Sequence, residues 1–327
     1  MSAKQPMFEA NKFLDPFFYP DETKNISWTN IIWLGGLFLA GVFLWGKFLS
    51  WNTLALDFHD WASVNFPRLN FLQNTFNAGV FPLYMAGIQA LHDLTDRFLT
   101  LPDVNTTPQT LFLLFVNIPT FVLIDILIQY LIGFPGLLWV RRRFNLSLFA
   151  FSILFFLFNF NGYILSHYSV SHFTWGAYFI FPIVFMFIFR FLDGEDGWRW
   201  LTGFSFSLFY MVLAGGQHFF TWVLIMVSVL ILFCGRRSLW LIGVGAFSGI
   251  LSAVRLLPPV LELKGFTESK DFLFVGGYPS LTEVFELTLF LRRNSVIRPG
   301  YVQHNFWDYA KYSVSSIFTW ELSGGSF

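Results

Sequence analysis

Seven stretches of this chain, residues 31–48, 111–140, 144–160, 173–191, 200–214, 219–234 and 239–257, consist mainly of aromatic and aliphatic residues with almost no charge. Crossing a hydrocarbon layer of about 30 Å takes about 20 helical residues at about 1.5 Å each. Several of these stretches approach or exceed that length. Only 12% of the 327 residues are charged, and 46 of them are phenylalanine. A soluble domain carries about a quarter charged residues, and its single core has no room for so many large rings. Inside lipid every backbone N–H and C=O must find its partner within the protein, so spans of this kind form helices. The expected fold is all-α: a polytopic helical membrane protein with about seven transmembrane helices. Residues 111–140 are too long for one crossing and too short for two, which predicts one long helix kinked at Pro119.

Charge placement predicts the topology. Arg141, Arg142 and Arg143 form the densest basic cluster, and basic residues between spans stay on the cytoplasmic side. Counting crossings from there puts the N-terminus, residues 193–199 and the pair Arg236–Arg237 on the same side. Residues 51–108 and the turns at 161–172 and 215–218 then lie outside. Residues 1–27 mix charged, polar and aromatic side chains, unlike a cleavable signal peptide. Trp28, Trp33, Trp45 and Trp51 flank the first span, where indoles favour the interface. The large loop predicts two amphipathic surface helices, at 62–77 and 85–99, separated by Gly79 and Pro82. In the first, Phe66, Leu69, Leu72 and Phe76 form an apolar stripe. The last span is expected to stop at Pro258 and Pro259. Residues 1–260 thus form one transmembrane unit, and residues 261–327 an external segment with no convincing span.

All six histidines, His59, His92, His167, His172, His218 and His304, fall on the external side of this scheme although none was used to build it. Titratable groups gathered on one side of a membrane protein point to a polar chamber there. Net charge is zero, so no global field recruits nucleic acid. A single cysteine, Cys234, excludes an internal disulfide framework and a cysteine-rich metal site. The chain has no phosphate-cradling glycine loop, nucleophile elbow or dinucleotide fingerprint.

Local patterns at the helix ends go further. Leu56-Asp57-Phe58-His59-Asp60 follows the first span, and Gly79-Val80-Phe81-Pro82-Leu83-Tyr84 comes about twenty residues later. Arg141–Arg143 then lead into an aromatic helix ending at Asn161-Gly162. The turn Gly215-Gly216-Gln217-His218 and the stretch Ala253-Val254-Arg255-Leu256-Leu257-Pro258 follow in order. This succession, over residues 30–265, resembles polytopic glycosyltransferases of the GT-C superfamily, in particular the YfhO-like group. Trp320-Glu321 resembles the Trp-Glu motif that precedes a further membrane helix in that group, which implies that more helices follow residue 327.

The resemblance implies an integral protein of a bacterial or archaeal cytoplasmic membrane. Its implied reaction transfers a sugar from a polyprenyl-phosphate donor to an acceptor on the extracytoplasmic face. Membrane lipids would surround the helices and the lipid-linked donor would lie among them. Asp57, just past the first span, is the first choice for the general base, with Asp60 its competitor. On one helix the two carboxylates share a face, an arrangement that also suits a divalent cation. Arg255 offers a guanidinium fork for the donor phosphate, and snorkelling to the interface explains it equally well. His59, His167, His172, Gln217 and His218 are candidate substrate-binding residues lining the same chamber. Asp125, one turn from Gln129 within a span, is either a functional group or a structural residue that is protonated or paired along its helix. A transporter or flippase for a lipid-linked glycan, or a subunit without catalysis, would share these features.

Overall fold

The computed structural model describes residues 15–18, 28–57, 60–82, 98–101 and 104–267. These form ten α-helices and no strand among the described residues: α1 (Asp15–Phe18), α2 (Trp28–Phe48), α3 (Phe66–Asn77), α4 (Ile118–Arg143), α5 (Leu148–Asn159), α6 (Gly162–Ser169), α7 (Phe181–Leu192), α8 (Trp198–Leu213), α9 (Gln217–Ile231) and α10 (Ser238–Thr267). Each of the seven apolar stretches is mainly helical. Five segments are long and apolar enough to cross a membrane: Trp28–Phe48, Ile118–Arg143, Leu148–Ser169, Phe173–Leu192 and Gly235–Leu261. Helices α8 and α9 are shorter, at 16 and 15 residues.

Large apolar side chains are exposed on the outside of the bundle. Leu39, Phe43, Leu157, Ile225, Ile250 and Val254 are all more than half exposed on helices whose opposite sides are packed. A surface of that kind suits lipid, and no soluble monomer sustains it over so many neighbouring helices. Within lipid, close approach rather than water exclusion holds helices together. Gly133 and Gly136 provide it on α4, because a Cβ at Gly133 would stand 2.3 Å from the Phe179 carbonyl oxygen and one at Gly136 2.7 Å from the Ile183 nitrogen.

The basic end gathers as the charge pattern predicts. The last turn of α4 meets the end of α7 through Arg143, whose Nε and Nη2 donate to both Asp193 carboxylate oxygens at 2.8 and 2.6 Å. Arg237 donates to Asp196 at 2.9 Å and to the Phe191 carbonyl at 2.6 Å. Arg141 reaches Asn30 at the start of α2. The beginning of the first span and the loops after α4, α7 and α9 therefore lie at one end. The described histidines lie at the other.

Several boundaries differ from the sequence expectation, each for a local reason. Pro119 starts α4 instead of kinking it. Asn117 caps that helix by accepting from the Thr120 N–H at 2.9 Å, and residues Pro108–Leu114 form a separate 3-10 stretch. The supposed turn at 161–172 contains a helix of its own, α6. Asn161 caps it by accepting from the Ile164 N–H, while its amide donates back to the Leu157 and Phe158 carbonyls and closes α5. Helix α10 runs through Pro258 and Pro259 to Thr267. Each proline deletes one ladder bond, but its fixed φ is helical, so the chain continues where packing favours it. Trp45 is fully buried, ringed by Phe48, Phe160, Tyr168 and Phe179, and has no interfacial role.

The first loop helix is present as one π-helical turn, Trp61–Asn65, leading into α3. Leu69 and Leu72 are buried and Phe76 partly so, whereas Phe66 is exposed at the head of the helix and leaves the stripe. The second expected loop helix falls mostly outside the described residues, as do His59 and residues 268–327.

Candidate active site

A cavity of about 250 Å³ opens at the histidine-bearing end, lined by Asp60, Asn65, Ser171, His172, Trp175 and His218 among others. Three chain segments build it. The π-helical turn after Asp60 brings Trp61 inward, where its Nε1 donates to the Tyr168 carbonyl at 3.3 Å. Asn65, at the end of that turn, donates to both the carbonyl and the hydroxyl of Ser171, at 2.6 and 2.8 Å. Ser171 has φ of 74°, a left-handed conformation unusual for serine, and the Asn65 contacts hold it there. That bend separates α6 from the 3-10 stretch Phe173–Ile180 and folds His172 back over His167.

The third segment is the turn between α8 and α9. Gly215 has φ of 81°, and Gly216 donates to the Met211 carbonyl at 2.9 Å, which terminates α8. A side chain at Gly216 would come within 2.5 Å of the Ala177 Cβ. Both glycines are thus required for α9 to begin against residues 173–180 and to deliver His218 to the cavity.

The titratable groups form a chain. An oxygen of Asp60 lies 3.3 Å from His172 Nε2, and His172 Nδ1 lies 2.8 Å from His167 Nδ1. With the carboxylate ionised, His172 Nε2–H donates to it. One proton then sits between the two Nδ1 atoms, on whichever ring is the donor. His167 is buried and stacks on Trp175 with ring centroids 3.6 Å apart and planes 15° from parallel. Trp175 also faces His218 at 5.2 Å. The result is a carboxylate at a cavity mouth, a hydrogen-bonded imidazole pair behind it and an indole wall beside it. Carboxylate and imidazole can take up or orient a proton, and the flat indole face suits the C–H face of a ring-shaped ligand.

Of the residues singled out from sequence, Asp60, His172 and His218 line this cavity, and His167 backs it. Gln217 is the first residue of α9, and its Nε2 is buried without a hydrogen-bond partner. Asp57 is exposed on irregular chain outside the helix that begins at Asp60. The shared helical face assumed for the two carboxylates is therefore absent. Among the described residues no three of the His, Cys, Asp and Glu side chains converge to hold a metal ion.

Arg255 is elsewhere. It is 3% exposed, and its guanidinium donates to the carbonyls of Leu99, Leu101 and Val104 at 2.8, 3.0 and 3.2 Å. It holds the segment before α4 instead of facing the cavity. Trp175, Asn65 and Ser171 were not found from sequence. The available signal for Trp175 was its position three residues after His172 in an otherwise aliphatic and aromatic run. Comparison with protein-family models, with curated proteins and with solved structures finds no match to this chain.

Proposed function

We propose that the chain is a membrane glycosyltransferase that moves a sugar from a polyprenyl-phosphate donor to an acceptor hydroxyl at the histidine-bearing end of the bundle. The observation that carries this reading is the Asp60–His172–His167 chain beside Trp175 in a cavity at the end of a lipid-facing bundle. The order of motifs that resembles the YfhO-like group supports the choice of donor. The external face and the cytoplasmic N-terminus are part of the proposal.

In this mechanism Asp60, rather than Asp57, takes the acceptor proton. As the acceptor oxygen bonds to the anomeric carbon, the bond from that carbon to the phosphate oxygen breaks, and its electrons leave with the lipid phosphate. His172 orients the carboxylate and Trp175 supports the sugar ring. General-base help of this kind contributes about 10²–10⁴-fold. No metal is needed for a phosphate leaving group, although a divalent cation would assist its departure.

The test is transfer from a set of radiolabelled polyprenyl-phosphate sugars in nanodiscs. Asp60→Asn is expected to lower turnover by about 10²-fold or more with little change in donor KM, and Asp57→Asn to leave it nearly unchanged. The opposite result returns the base to Asp57. A wild-type protein that transports a lipid-linked glycan without transferring sugar, or does neither, removes the enzyme reading. Loss of activity with a chelator would add a cation to the site.

A further inference from the structure

A second polar cluster lies inside the bundle behind the cavity wall, with Gln129 against Gly176 and with Tyr168 and Tyr210 near Asp125. Asp125 and Gln129 are both fully buried on α4, four residues apart and so on one face. Gln129 Nε2 donates to Asp125 Oδ2 at 2.5 Å, and Asn105 Nδ2 approaches the same oxygen at 3.3 Å. The Asn105 carbonyl oxygen in turn accepts from the N–H and hydroxyl of Thr107. Two acceptors remain: Asp125 Oδ1 and Gln129 Oε1 are buried and lack any hydrogen-bond partner. The Gln129 amide lies against Gly176, where a Cβ would meet Oε1 at 2.0 Å, so a glycine at 176 leaves the space that the amide fills.

An ionised carboxylate at this position would be a buried charge whose donors are all neutral: the amides of Gln129 and Asn105, both on one oxygen, and the Thr107 hydroxyl. No Lys, Arg or His is among the partners shown for its carboxyl. Charge without a counterion inside a membrane bundle is costly, and two buried acceptors without donors add to the cost. One positive charge cures both defects. A hard metal cation requires about six or more oxygens, whereas only these two acceptors stand open on the pair. A proton needs only the two.

We propose that Asp125 and Gln129 form a one-proton site, in which the neutral carboxylic acid donates from Oδ1 to Gln129 Oε1 while the amide donates back to Oδ2. The acid and amide then close a reciprocal ring, and Asn105 latches the segment before α4 onto it. The ligand is a proton held at membrane depth, distinct from the Asp60 chain and independent of any sugar chemistry.

The test is infrared spectroscopy of the full chain in nanodiscs at neutral pH, with aspartate carbons labelled with ¹³C. The expected result is a carbonyl band of a neutral carboxylic acid that shifts with the label and on transfer to D₂O after equilibration. Asp125→Asn should abolish the band and leave the unfolding midpoint nearly unchanged, because its amide supplies the same donor to Gln129. Gln129→Leu should lower the midpoint. Only carboxylate bands in the labelled wild type, a measurement that needs no variant, would overturn the proposal. A wild-type midpoint that rises with sodium or potassium over choline, and loses that dependence in Asp125→Asn, would overturn it in favour of a metal cation.

Discussion

Replacing Arg255 with methionine separates two roles for one side chain. The stem volume is nearly kept, so the loss is confined to the guanidinium. That group donates three hydrogen bonds to carbonyls of residues 99–104 at 2.8–3.2 Å and is 3% exposed. A hydrogen bond from a charged donor contributes about 1.5–3 kcal/mol, but the three share one side chain and do not add fully. Removing the charge also removes its burial cost, which offsets part of the loss. A net destabilisation of about 3 kcal/mol is expected, or about 4–5 °C in unfolding midpoint for a chain of 327 residues. Thermal unfolding in nanodiscs measures it. Limited proteolysis should show new cleavage between residues 99 and 116, where the backbone has lost its clamp. Arg255→Lys should recover a fraction only, because a single ammonium cannot span three carbonyls in the planar geometry of the fork. An unchanged midpoint with a raised donor KM would refute this reasoning and restore the phosphate-binding role expected from the sequence.

Two further outcomes follow from packing and from charge. Gly136→Ala and Gly133→Ala should each destabilise the bundle by about 1–3 kcal/mol, since each new methyl meets the backbone of residues 179–183; Gly35→Ala, with nothing within 4 Å, should be neutral or mildly stabilising in the same unfolding assay. Cysteines placed at Ser63 and Ser169, both exposed near the cavity, should react with an impermeant thiol reagent from outside the cell, and one at exposed Asn145 should not. The reverse pattern would invert the orientation drawn from the arginine clusters.

The helical membrane class was legible in the amino-acid sequence because it depends on quantities that add along the chain: length of apolar runs, absence of charge within them, and arginines between them. The basic end was legible for the same reason, since Arg141, Arg143 and Arg237 each lie two crossings from their eventual partners, which returns both to the same side. Helix boundaries were less so. Proline reads as a breaker at Pro119 and Pro258, yet the first starts a helix and the second sits inside one, because capping by Asn117 and packing along α10 outweigh the local preference. The candidate site was half legible. Asp60, His172 and His218 stood out as titratable groups near helix ends, but their convergence depends on the left-handed bend at Ser171 and on the Gly215–Gly216 turn. Neither bend has a periodic signature. Asp57 and Arg255 looked equivalent to the residues that line the cavity, and only the tertiary structure separated them. A carboxylate three residues before a helix has no fixed direction. A buried arginine, in turn, takes whatever acceptors the fold brings to it, and here they include backbone carbonyls about 150 residues earlier in the chain.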